Sequence, residues 1–173
     1  MDPAWLRDKA VIAGIGHTEF SKNSGRSEQR LAIEAIRAAL DDCGLSPSDV
    51  DGIVRLDTDD TEEIQIVNNL GIKNLRVHAA LPHGGGSPCG LVLLAAQMIA
   101  SKQADVVVGY RSMNERSGRR FGQMAGGRYS KKDQQWVVPF GLASPGAWVA
   151  MSARRHMEEY GTTREHFAAV ALA

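Results

Sequence analysis

"HGGGSPCGLVLLAAQMIASKQADVVVGY", residues 83–110, settles the class of fold. Three consecutive glycines precede an apolar run that reaches about Ser101, and after a short break comes "ADVVVGY". The first run has the length and apolarity of a helix packed in the interior. The second is short, valine-rich and uninterrupted, as a strand buried on both faces of a layered α/β protein reads.

The same grammar extends toward the N-terminus. "NLRVHAALP", 74–82, places Leu75, Val77, Ala79 and Leu81 on one face of a strand. Before it, Thr61 is the expected cap of a short helix, "EEIQIVNNL", closed by Gly71 and preceded by a weak strand around Ile53 to Leu56. The clearest helix starts at Glu28, with Leu31, Ala32, Ala35, Ile36, Ala39, Leu40 and Cys43 at helical spacing. Ser27 is its N-cap and Gly44 its stop, with Pro47 soon after. "AVIAGIG", 10–16, reads as a further buried strand ended by glycine. The order β-α-(β)-α-β-α-β predicts a mixed or parallel sheet with helices on both faces.

Residues 111–145 break this rhythm with basic residues, glycines and aromatics in no sustained period, the mark of a functional loop or a partner-covered segment. Ser144 and Pro145 then form an N-cap and first-turn pair for a helix to Tyr160, stopped by Gly161. Thr162 and Glu165 read as a capping box for "REHFAAVALA". Its apolar face, Phe167, Val170, Ala171 and Leu172, has no later residue to cover it, so either another chain or further polypeptide is expected there.

With 173 residues and 43% hydrophobic content, one domain with a real core is expected. Twenty Lys and Arg balance twenty Asp and Glu, so no long-range field recruits nucleic acid or an anionic membrane, and any anionic ligand must be held locally. Asp2, Arg7, Asp8 and Lys9 make the N-terminus neither a signal peptide nor a membrane span. Cys43 and Cys89 do not form a disulfide framework, and a cytoplasmic location is expected.

A helix that starts after a glycine-rich turn presents backbone N–H groups and the positive end of its dipole, which stabilise a thiolate or hold an oxyanion or phosphate. Gly84, Gly85 and Gly86 let the chain bend there and a ligand approach. Cys89 or Ser87 is thus a candidate nucleophile, with His83 a nearby acid or base. The plainer alternative is tight-turn chemistry followed by a small core cysteine. His17 and His78 read as structural, and His156 and His166 have no carboxylate at ligand spacing, so no metal site is expected. "GIGHTEF" lacks the dinucleotide fingerprint and there is no Walker sequence. Arg111, Arg116, Arg119, Arg120, Arg128, Lys131 and Lys132 read either as a solvated loop face or as a docking surface for the phosphates of a carrier such as coenzyme A.

"AVIAGIGHTEF", "LAIEAIRAALDDCGLSPSDVDGIV", "HGGGSPCGLVLLAAQMIASKQADVVVGYRSMNE" and "YGTTREHFAAVALA", in this order, resemble the N-terminal half of thiolase-superfamily proteins, and more narrowly the lipid-transfer-protein, or sterol-carrier, branch. The resemblance implies a layered α/β fold of two similar halves stacked α-β-α-β-α. Residues 1–173 would be the first half, with a loop insertion at about 111–145 and the second half absent. Family thiolases place an acyl-accepting cysteine where Ser87 stands when Gly90 is matched to the last glycine of their motif, so Cys89 falls two positions late.

That departure resembles branch members that cleave steroid side chains as aldolases. Their retro-aldol chemistry on a β-hydroxyacyl-CoA needs a base and an oxyanion hole but no acyl-enzyme. The resemblance implies an acyl-CoA substrate, coenzyme A only as part of that substrate, a homodimer, and an accessory protein with an oligonucleotide-fold domain and a zinc ribbon. Neither nucleic acid nor membrane is implied. Ser87, Cys89 and His83 are then the catalytic candidates, and Gly85, Gly86, Gly90, Arg119 and Arg120 the substrate-holding ones. The family's other catalytic segments, of "HEAF" and "CxGGG" type, do not occur in this sequence. Two alternatives stand beside the lyase: an acyltransferase with Cys89 as displaced nucleophile, and a non-catalytic acyl-CoA-binding or scaffold subunit.

Overall fold

Helix α1, Glu28–Cys43, forms where its caps and apolar stripe predict: the Ser27 hydroxyl accepts the Arg30 N–H at 3.2 Å, and Gly44 takes the left-handed conformation at φ 70° that ends it. The computed structural model describes residues 3–82, 86–114, 116, 136–142 and 144–173. They fall into two units, Met1–Ser117 and Gly118–Ala173.

In the first unit, β1 (Gly52–Leu56) is the middle strand, flanked by β2 (Val77–Leu81) and β3 (Val107–Tyr110), and both pairings are parallel. Side chains alternate across a strand, so Ile53 points to one face and Val54 and Leu56 to the other, all three fully buried. Ile53 joins Ala32, Ile36 and Leu40 of α1 and Ile66 and Leu70 of α2 (Glu63–Leu70). Val54 and Leu56 join Leu91 and Met98 of α3 (Ser87–Ala100). Helices therefore cover both faces of the sheet, as expected of this α/β order.

The N-terminal edge of the sheet is tied by one carboxylate. Asp51 accepts the amides of Asp105 and Val106 at 3.0 and 2.8 Å and the Arg76 guanidinium at 3.0 Å, joining all three strand beginnings. Burial pushes its carboxyl up, but these donors together outweigh burial and hold it below the ordinary aspartate range.

Several expectations are corrected. Residues 10–16 join no ladder among the described strands, and Val11, Ile12 and Ile15 are exposed rather than buried. The glycines there serve close approach instead: a Cβ on Gly14 would lie 2.1 Å from the Ala39 carbonyl oxygen, and one on Gly16 2.2 Å from that of Ala35. The segment lies on α1, with the Ile15 N–H on the Asp42 carboxylate at 3.0 Å. The 74–82 strand begins only at Val77, because the Arg76 amide already bonds the Asp51 carbonyl at 2.8 Å. β3 is half-buried rather than fully buried, with Gly109 exposed, since its described partner lies on one side alone. Helix α3 is an outer layer of this chain and not interior: Val92 and Leu93 are about half exposed.

Two caps shift by one residue. Glu62 rather than Thr61 caps α2, its N–H donating to Gln65 Oε1 at 2.9 Å, while Thr61 is buried under β3. In the second unit α5 (Arg164–Leu172) is capped by Thr163, whose N–H donates to His166 Nδ1 at 3.1 Å, in place of Thr162 with Glu165. Helix α4 (Pro145–Tyr160) starts as expected, with the Ser144 hydroxyl accepting the Ala147 N–H, and ends at Gly161 with φ 65°. The His156 ring packs edge-on against Tyr160 and Phe167. Within the expected insertion, residues 136–142 carry one short 3-10 turn, Val138–Phe140. Among the described residues no helix is long and apolar enough to cross a membrane.

Candidate functional site

Three parallel strands end on the same side, at Leu56, Leu81 and Tyr110, and the crevice outside such ends is where ligands gather in α/β sheets. Helix α3 begins there, six residues after β2 ends. Its first turn holds Ser87 and Cys89 with Gly86 before them and Gly90 after. An α-helix leaves its first N–H groups without intrahelical acceptors, and Pro88 at the second position brings none of its own.

The two candidate nucleophiles differ sharply in setting. Ser87 is buried, and its hydroxyl donates to the carbonyl oxygen of Pro82. Cys89 is exposed. A Cβ on Gly90 would lie 3.3 Å from Leu81 Cδ1, so this glycine lets the helix approach β2 closely. Gly86 has φ −90° and ψ −15°, a conformation open to any residue, and its Cβ would meet no described atom within 4 Å. His83, Gly84 and Gly85 lie outside the described residues, as do Arg119 and Arg120. Among the described residues no group of three or more His, Cys, Asp or Glu is placed to hold a metal ion.

Between β1 and α2 the turn Asp57–Thr61 carries a buried acid, Asp59. Its N–H at Asp57 donates to the Leu81 carbonyl at 2.9 Å, one residue before Pro82. Asp59 is 2% exposed, and its Oδ2 accepts the Ser112 N–H at 2.9 Å, while Arg111 Nε lies 3.6 Å from Oδ1. Burial pushes the Asp59 carboxyl above the usual range despite these partners. The Tyr110 hydroxyl donates to the Thr61 carbonyl at 2.9 Å, and burial raises this phenol strongly. Beside them Arg55 Nε donates to Glu63 at 2.7 Å, and His78 Nδ1 lies 3.4 Å from the same carboxylate. No local pattern in sequence signals the buried Asp59, because the backbone amide that it accepts comes from Ser112, 53 residues away and just after β3.

Beyond β3 the chain lines an open cleft of about 470 Å³ with the segment Gly16–Ser21. Arg111 and Arg116, from the basic run, stand on it. Asn114 ties its two walls: its amide N–H donates to Glu28 at 3.0 Å, its Nδ2 to the Arg26 carbonyl at 2.7 Å, and its Oδ1 accepts the Ser24 hydroxyl at 2.9 Å.

The model of the thiolase N-terminal domain family matches residues 10–173. A steroid side-chain-cleaving aldolase of Thermomonospora curvata is 51% identical over 172 residues, covering 96% of this chain and 44% of that protein. A 17-hydroxy-3-oxo-4-pregnene-20-carboxyl-CoA lyase of Mycobacterium tuberculosis is 47% identical, over 97% of this chain and 45% of its own length. The solved Ltp2-ChsH2(DUF35) aldolase superposes with a TM-score of 0.69 at 53% identity, covering 88% of this chain and 38% of that one. The chain thus spans less than half the length of the relatives it matches.

Proposed function

The chain belongs to the thiolase family, as its N-terminal domain, and we propose that it forms the first half of a carbon–carbon lyase that cleaves a steroid-derived β-hydroxyacyl-CoA. In that reaction a base takes the β-hydroxyl proton, the Cα–Cβ bond breaks, and the electron pair moves into the thioester carbonyl. A carbonyl product leaves and the enolate is reprotonated at Cα. This domain's part is to receive the enolate oxygen at the mouth of α3, where the first-turn N–H groups and the helix dipole favour negative charge. The base is assigned to the second half of a longer protein, packed on the exposed Val92 and Leu93 face of α3. Gly85, Gly86 and Ser87 through Gly90 are proposed to border the thioester, His83 to stand near it as an acid or base, and Arg119 and Arg120 to meet the coenzyme A phosphates.

The observation that carries this reading is Ser87, whose hydroxyl bonds the Pro82 carbonyl; by the resemblance of 87–90 to the thiolase motif, it stands where those enzymes keep their nucleophile. A lyase needs no nucleophile there. The two relatives support the substrate class, one being a steroid side-chain-cleaving aldolase and the other a carboxyl-CoA lyase. We assign the protein to a cytoplasmic homodimer bound to an accessory protein of the DUF35 kind named in the solved complex.

Exposure of Cys89 in the first turn of α3 favours one other reading, an acyltransferase with a displaced nucleophile. Incubating the full-length protein and its accessory partner with a β-hydroxyacyl-CoA decides. Release of the carbonyl product with no mass added to the chain supports the lyase; an acyl adduct on Cys89 overturns it.

A further inference from the structure

We propose that the turn Asp57–Thr61 is a cross-brace between the two sides of this site, with Asp59 as the positioning residue that holds the exit of β3 relative to the mouth of α3. The inference rests on the lyase reading for its activity readout, and on geometry for everything else.

The turn grips both neighbours of β1. On one side the Asp57 N–H holds the Leu81 carbonyl, the last residue of β2, and the adjacent Pro82 carbonyl takes the Ser87 hydroxyl. On the other side Thr61 takes the Tyr110 hydroxyl at its carbonyl and the Ser112 hydroxyl at its Oγ1, and Asp59 takes the Ser112 amide. The strands on either side of β1 therefore meet through five consecutive residues. Asp59 brings a buried charge to this contact: its Oδ2 takes the Ser112 amide, and its Oδ1 lies 3.6 Å from Nε of Arg111, a side chain on the cleft.

A carboxylate so buried is a costly way to hold one amide. An asparagine would accept the same N–H without the cost of burying charge, and it would not orient Arg111. Burial thus sets a folding cost on the charge of Asp59, and what that charge supplies in return is the field that orients Arg111. Arg111 is about two-fifths exposed, so it stays hydrated when its partner is neutral.

Asp59→Asn and Asp59→Ala in the full-length protein with its accessory partner test this. For Asp59→Asn we expect kcat to fall about tenfold while the thermal midpoint stays or rises, a split that a merely structural residue would not give. Asp59→Ala also loses the Ser112 acceptor, so kcat falls about a hundredfold and amides of 111–114 exchange hydrogen about tenfold faster. Asp59→Asn activity within twofold of the parent, or a loss that tracks a lowered midpoint, overturns the proposal. Should the parent protein show no lyase turnover, the lyase reading falls separately, and unchanged exchange at 111–114 in Asp59→Ala sinks the brace.

Discussion

The Ser87 hydroxyl donates to the carbonyl oxygen of Pro82, five residues earlier. The Ser87 side chain is thus held by main chain and buried. Cys89, two residues later, is exposed.

On the lyase reading, which runs no covalent step through the thiol, Cys89→Ala in the full-length protein should leave kcat within about threefold of the parent. Ser87→Ala should cost about 1 kcal/mol of stability by freeing the Pro82 carbonyl. Steady-state kinetics and urea titration read the two effects. A hundredfold loss of kcat in Cys89→Ala would count against the lyase.

Asp51 makes folding acid-sensitive. Its carboxyl lies below the ordinary value in the folded state, so its stabilisation is complete above the unfolded aspartate value of about 3.9 and is lost as pH falls through the lower folded value. Asp51→Ala should cost about 3 kcal/mol at neutral pH, since it strands the Asp105 and Val106 amides and Arg76. Denaturation midpoints measured from pH 7 down to pH 3 should then fall more steeply for the parent than for the variant.

Gly16→Ala should cost about 2 to 3 kcal/mol. The added methyl would meet the Ala35 carbonyl and the Ala39 amide of α1 at 2.2 and 2.3 Å, and main chain cannot step aside as a side chain can. Gly90→Ala should stay within about 1 kcal/mol of the parent, because its contact at 3.3 Å is the flexible end of Leu81 and alanine favours the helix. Reversed costs would show that 10–16 does not lie on α1.

Asn114→Ala should lower stability by about 2 kcal/mol, through loss of the bonds to the Ser24 hydroxyl and the Arg26 carbonyl. Asn114→Asp should be no milder: it keeps the acceptor for Ser24 but turns an oxygen toward the Arg26 carbonyl. Urea midpoints distinguish this pattern from a surface asparagine, for which both changes would be near neutral.

Local signals carried much of this protein. Ser27 and Gly44 bound α1, Gly71 and Gly161 end their helices, and Pro145 opens α4, because caps and stops act over a single turn. The inward face of β2 was legible from alternation, whereas β1 was read only as a weak strand. The shifted caps at Glu62 and Thr163 were not, since adjacent residues there can each serve, and the turn of α2 was decided by Thr61 being drawn beneath Tyr110.

Residues 83–110 alone required a glycine turn, a helix and a strand in parallel α/β order, because helix and strand periods and glycine's freedom are properties of short stretches of chain. Folding in three dimensions decided which apolar runs join the sheet. "AVIAGIG" is as apolar as a strand yet lies on α1, where Gly14 and Gly16 let its backbone come close to helix carbonyls. It also chose the partners of Asp51 and Asp59, separated by 53 to 55 residues, because a buried carboxylate bonds whatever amides the crossovers bring to it, and no local pattern encodes that meeting.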